Sequence, residues 1–117
     1  MIEYVNSVKA WPRWNDLIFR DGKPAIVFSM SKNHALYPRV RDMLSTMKRT
    51  SVFYLQPNDY MKLTMGSDEV ILPPCIIGYD KGERVYAYST EHISKDAKDV
   101  LLSNLDDVEY ELCRLFV

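Results

Sequence analysis

The sequence predicts an α/β fold, a central mixed sheet flanked by helices in the order β-α-β-α-β-α-β-β-α. Three observations predict it. Ala25-Ile26-Val27-Phe28-Ser29-Met30 is apolar toward both faces, as a strand covered on two sides must be. Strand and helix patterns alternate from the start, and strand–helix–strand means parallel pairing with right-handed crossovers. Asp80-Lys81-Gly82 then separates two strand patterns as a hairpin turn, which adds antiparallel strands.

The elements follow in order. Ile2-Glu3-Tyr4-Val5 alternates apolar and polar, a short strand. Trp11 to Arg20 reads as a helix: Pro12 suits a first turn, and Trp11, Trp14, Leu17 and Ile18 share one face. That spacing favours packing on the sheet over an exposed aromatic grip. Gly22 can take the left-handed stop. After the Ala25 strand, Ala35 to Arg49 forms a second helix with Leu36, Val40, Met43, Leu44 and Met47 inward. Lys48 and Arg49 would complement its C-terminal dipole.

Ser51-Val52-Phe53-Tyr54-Leu55 is another buried strand. Asn58 or Asp59 can cap a short helix through about Met65, with Gly66 ending it. Leu72-Pro73-Pro74 is a rigid extended corner before the strand Cys75 to Tyr79. Glu83 to Ser89 returns with Arg84, Tyr86 and Tyr88 on one face and Val85 and Ala87 on the other. Ser94 caps a last helix, where Ala97, Leu101, Leu105, Val108, Leu112 and Leu115 face inward and Asp96 and Asp99 suit its positive end.

Composition sets the outer limits. The 117 residues suit a single domain over 1–117. With 47% hydrophobic and 26% charged residues, the chain is an ordinary globular sequence rather than a disordered one. It needs neither disulfide nor metal to fold, since a chain this long buries roughly two-thirds of its unfolded surface. A net charge of −1 makes no global case for nucleic acid or a membrane. No apolar run approaches a membrane span, and Met1-Ile2-Glu3-Tyr4 lacks the layout of a secretion signal. Cys75 and Cys113 have no CxxC or Cys/His spacing, so neither a metal site nor a disulfide pair is expected, and a reducing cytoplasm fits. Charge is uneven: residues 1–58 carry +5 and residues 59–117 carry −6. Such a dipolar chain either shows one sign on some solvated faces or offers a basic end to an acidic partner.

Three segments together resemble the thioredoxin-fold family over nearly the whole chain. Asp21 to Phe28 is similar to the entry into its central strand. Leu72-Pro73-Pro74-Cys75-Ile76-Ile77-Gly78-Tyr79-Asp80-Lys81-Gly82-Glu83 resembles its proline, strand and glycine turn, and Ser94 to Leu105 resembles its closing helix. The resemblance implies a cis peptide bond before Pro74. It also implies that the family's Cys-x-x-Cys pair would fall within Met30 to Tyr37, at Asn33 and Leu36 in a glutaredoxin-like register. No register supplies a cysteine there. Disulfide exchange needs a thiolate attacker and usually a resolving thiol. The resemblance therefore implies the scaffold and withholds the chemistry.

The candidate binding residues are Ser31, Lys32, Asn33, His34, Tyr37, Pro73 and Pro74, at the family's reactive edge. Asn33 reads equally as a helix N-cap, and His34 as a solvated first-turn residue, since no Ser/Asp arrangement supports a triad. Pro73 lacks the N–H that the family offers to a peptide or glutathione, though its carbonyl remains. Cys75 reads as a small core residue or as a lone redox-sensing thiol. The basic residues Lys32, Arg39, Arg41, Lys48 and Arg49 form a belt that could touch phosphates or an acidic protein, but without an RNA-binding motif the signal for nucleic acid is weak and a solvated helix face is the better reading. The expected function is a redox-inactive thioredoxin-like adaptor with a protein partner, acidic if the basic edge meets it, and no cofactor or metal. The alternative is a single-thiol or glutathione-linked redox protein using Cys75. A different surface, the Arg84, Tyr86 and Tyr88 strand face, stands as a second docking place.

Overall fold

The computed structural model describes residues 2–5, 12, 15–64, 71–92 and 105–116. Trp11, Trp14, Met65, Gly66 and the Ser94 to Leu101 stretch of the expected closing helix lie outside them. Five strands form one sheet: β1 (Ile2–Val5), β2 (Ala25–Ser29), β3 (Ser51–Leu55), β4 (Ile71–Asp80) and β5 (Glu83–His92). Their order is β1-β3-β2-β4-β5. β1 and β2 both run parallel to β3, β4 runs antiparallel to β2, and β5 antiparallel to β4. The mixed sheet expected from the sequence is present.

Each face of the sheet has its own core. On one, Ile26, Phe28, Met30, Val52, Tyr54, Ile76, Tyr86 and Tyr88 pack with Val40 and Leu44 of α1 (Tyr37–Ser45) and with Val108, Leu112 and Phe116 of α3 (Leu105–Phe116). On the other, Ala25, Val27, Phe53, Leu55, Cys75, Ile77 and Ala87 pack with Ile18 and with Tyr60 of α2 (Pro57–Thr64). Strand alternation divides β2 between the two, which is why it had to be apolar throughout. Full burial of a side chain such as Phe28 or Phe53 contributes about 1.5–3 kcal/mol.

Several boundaries differ from the sequence reading. Asp16–Arg20 is π-helical, closed by the Asp21 N–H donating to the Asp16 carbonyl at 3.0 Å. Gly22 ends it at φ 66° and its carbonyl accepts the Lys81 N–H at 3.2 Å, tying this turn to the β4–β5 hairpin. α1 starts at Tyr37, with Leu36 at the N-cap and Pro38 in the first turn, and stops at Ser45. Lys48 and Arg49 thus lie past its end and do not serve its dipole. In α2 the Tyr60 N–H donates to the Gln56 carbonyl at 2.9 Å. That places Pro57, which has no N–H to lose, in the first helical position ahead of the expected Asn58 or Asp59 cap.

β4 begins at Ile71 and carries the proline corner within it, at a register shift between Leu72 and Cys75. The Pro73–Pro74 peptide bond is cis. A second shift leaves Val85 as an extra residue, since Gly78 pairs with Tyr86 and Tyr79 with Arg84. One extra residue reverses the facing of everything before it. Arg84 therefore joins Tyr79 and Tyr60 on the second face, while Tyr86 and Tyr88 are buried in the first core. The expected Arg84, Tyr86, Tyr88 surface does not exist, and it is no docking place.

Candidate functional site

The site lies where β2 and β3 end. Parallel strands bring their carboxyl ends to one edge of the sheet, and the loops that follow form its crevice. After β2, Met30 is buried and residues 31–36 turn back into α1. The turn is held by its own bonds. The Asn33 N–H donates to Ser31 Oγ at 3.2 Å and the His34 N–H to the Ser31 carbonyl at 2.9 Å. The Leu36 N–H donates to His34 Nδ1 at 3.1 Å, and the Tyr37 N–H to the His34 carbonyl at 3.0 Å.

These bonds correct two expectations. Asn33 is not the N-cap, because the helix begins three residues later than a cap there requires. His34 is half-buried and its ring nitrogen satisfies a backbone donor ahead of α1, so it serves as a structural acceptor.

Tyr37 is corrected as well. It is buried, stacked on Phe28 with ring centroids 6.4 Å apart and meeting Tyr54 edge-on at 5.6 Å. Arg41 lies over its ring at 5.8 Å. It supports the edge from beneath and offers no binding surface.

Ser31, Lys32 and Asn33 are exposed, as expected. Lys32 Nζ sits 5.6 Å from the centroid of the Tyr54 ring, within cation–π range. Pro73 and Pro74 are half-buried at the same edge: Ser29 pairs with Cys75, and continuing that register by one residue sets Pro74 beside Met30. The Ser89 hydroxyl donates to the Leu72 carbonyl at 2.7 Å and steadies the corner.

The concavity itself opens on the other side of the loop. A cleft of about 350 Å³ is lined by Ser31, Lys32, Asn33, Tyr54, Gln56, Pro57 and Asn58. It unites three of the expected residues with four that sequence reasoning missed, and leaves the prolines outside. The signal for Gln56 to Asn58 was available: they follow the strand that runs parallel beside β2.

Cys75 is fully buried, on the second face of the sheet. Burial pushes its thiol up to about 12, with the Tyr60 hydroxyl and the Ser29 backbone offsetting only part of that. A redox nucleophile needs the opposite environment. Cys113 is exposed on α3, and both cysteines are free. Among the described residues no cluster of His, Cys, Asp or Glu could hold a metal ion, and no helix is long and apolar enough to cross a membrane.

This arrangement is that of the thioredoxin fold. Thioredoxin O1 from Arabidopsis thaliana in its oxidized state superposes with a TM-score of 0.71 at 6% identity, covering 99% of this chain and 98% of that one. The oxidised thioredoxin from Plasmodium falciparum matches over 100% of both chains, with a TM-score of 0.68 and 12% identity. A Nicotiana alata thioredoxin gives 0.69 at 11% identity over 97% and 90% of the two chains. No family model and no curated protein matches the sequence. The likeness is therefore one of fold.

Proposed function

We propose that this chain is a thioredoxin-fold binding protein that acts through protein–protein contacts at the β2–β3 edge and performs no dithiol exchange. One observation carries the reading. Where the resemblance would set the redox pair, Asn33 is exposed and Leu36 packs against the core, and neither is a thiol. The edge around them remains open, with an exposed polar loop and an adjoining cleft. Cys75, the thiol nearest in sequence to the proline corner, is buried and held protonated, which speaks against the single-thiol alternative. Two unpaired cysteines, one of them exposed, suit a reducing compartment, and the cytoplasm is the setting we propose.

The test has two arms. Insulin reduction with a thiol donor should run no faster than with the donor alone, and a clear excess rate overturns the reading. A photo-crosslinking residue at position 33 should capture a defined protein that the same residue at position 109, on the far helix, does not. Equal capture at both places the contact elsewhere.

A further inference from the structure

His34 lies within the loop after β2, and the loop is folded around it. Its N–H donates to the Ser31 carbonyl and its own carbonyl accepts the Tyr37 N–H. Its ring is half-buried, and Nδ1 accepts the Leu36 N–H at 3.1 Å. Leu36 is the N-cap of α1, with its carbonyl accepting the Val40 N–H at 2.9 Å and its side chain packed against the first core. The imidazole thus holds the residue on which the helix starts.

That bond exists in one protonation form alone. A neutral imidazole accepts at Nδ1 while its proton sits on Nε2, whereas an imidazolium donates from both nitrogens. A second proton on His34 sets two N–H groups against each other, so the bond breaks and the ring turns away. Histidine is the side chain whose charge ordinarily changes between about pH 5 and 8. The charged and titratable groups around the loop are Lys32 within it, Arg39, Arg41 and Asp42 on α1, Tyr54 on β3 and Asp59 on α2. The proline corner at residues 72–75 adds only the buried Cys75 thiol. Among the described residues none of these bonds to the ring, whose bond is the one to Leu36. Lys32 lies over Tyr54, and Arg41 over Tyr37 and against Asp42.

We propose that His34 is a pH-sensitive latch on the candidate edge. The neutral ring locks residues 31–37 in the arrangement described, and protonation releases the Leu36 N–H and loosens the loop. The opened loop admits a proton at Nδ1 that the closed loop excludes, so acidification favours opening. The latch stands on the loop geometry, while its effect on docking rests on the protein-binding reading above. An edge ordered before its partner arrives loses less freedom on binding. Docking is therefore strongest at neutral pH and weakens as the loop opens.

The test uses the isotope-labelled full chain, with no partner present. Imidazole nitrogen resonances should show Nδ1 of His34 as the unprotonated nitrogen at about pH 7.5. Between about pH 7.5 and 5, protection of the Leu36 amide, corrected for intrinsic exchange, should fall about three- to tenfold, the scale of one hydrogen bond. The fall should follow the ring titration, and the Phe53 amide in the central strand β3 should keep its protection. His34→Asn retains a side-chain acceptor and does not titrate, so its Leu36 protection should not respond to pH.

The proposal is overturned if the neutral ring carries its proton on Nδ1, or if Leu36 protection holds while the ring takes its second proton. It is also overturned if His34→Asn loses protection in acid as the parent does. The first two readings need no variant. Docking is read separately, by cross-linking from position 33 at both pH values. Capture that weakens in acid in the parent and not in His34→Asn supports the regulatory step, and equal capture removes it. Capture that fails at every pH would remove the adaptor reading and leave the latch to stand or fall on the exchange data.

Discussion

The Tyr54 hydroxyl donates a 2.6 Å hydrogen bond to the carbonyl oxygen of Met30, joining β3 to the residue that opens the loop after β2. Both residues are buried, so neither group has water as an alternative. Tyr54→Phe keeps the ring and its contacts with Phe28 and Tyr37 but strands that carbonyl. The expected cost is about 1–3 kcal/mol in urea denaturation. Amide exchange over residues 31–34 should speed up with it. An unchanged midpoint would show that the bond does not fasten the loop.

His34→Ala removes the acceptor of the Leu36 N–H just before α1. By analogy with losing a helix cap, stability should fall by about 1 kcal/mol. Asn, with a short side-chain oxygen, should recover part of the loss. A His34→Ala protein as stable as the parent would mean that the imidazole is not a structural acceptor.

At Gly78 an added Cβ would lie 2.7 Å from two ring carbons of Phe116 and 3.3 Å from Tyr86 Cβ. The ring must move, and it is buried. Gly78→Ala is expected to destabilise by about 1–3 kcal/mol. Combining it with Phe116→Leu should cost less than the two single changes together, the mark of a direct steric contact. Strict additivity in a double-mutant cycle would place the strain elsewhere.

The sequence shows the strands well because burial on two faces demands unbroken apolar runs, as in Ala25–Ser29 and Val52–Leu55. It hides the extra residue at Val85, because a bulge has no composition of its own and reverses facing only through the partner strand. Tyr37 shows a different failure. Tyr37, Val40, Leu44 and Met47 recur at spacings of three and four, and all are buried. The hydroxyl made Tyr37 read as a surface residue although its period placed it inside. The cleft was half legible: Ser31 to Asn33 follow from the loop after β2, whereas Gln56 to Asn58, at the end of the parallel strand beside it, read only as the approach to a helix.

Cys75 supplies the last prediction. In the folded chain its thiol is buried beside Tyr60 and its affinity for the proton is raised from 9.0 to about 12. Burial also raises the Tyr60 and Tyr79 hydroxyls above their ordinary value of 10.0. At pH 8 an aromatic disulfide reagent should therefore label one thiol per native chain, Cys113, and two in urea. Labelling of both thiols in the native state would contradict the burial of Cys75. The same groups set the alkaline behaviour. Above pH 9 the unfolded chain releases the thiol proton while the folded chain keeps it, so rising pH favours unfolding. The stabilisation is fully present below pH 9 and lost progressively toward pH 12, at up to about 1.4 kcal/mol per pH unit for the thiol. The tyrosines steepen the loss from about pH 10. Cys75→Ala should remove the part that begins near pH 9 and leave the tyrosine part. A denaturation midpoint in the parent that stays flat from pH 8 to 10.5 would rule this out.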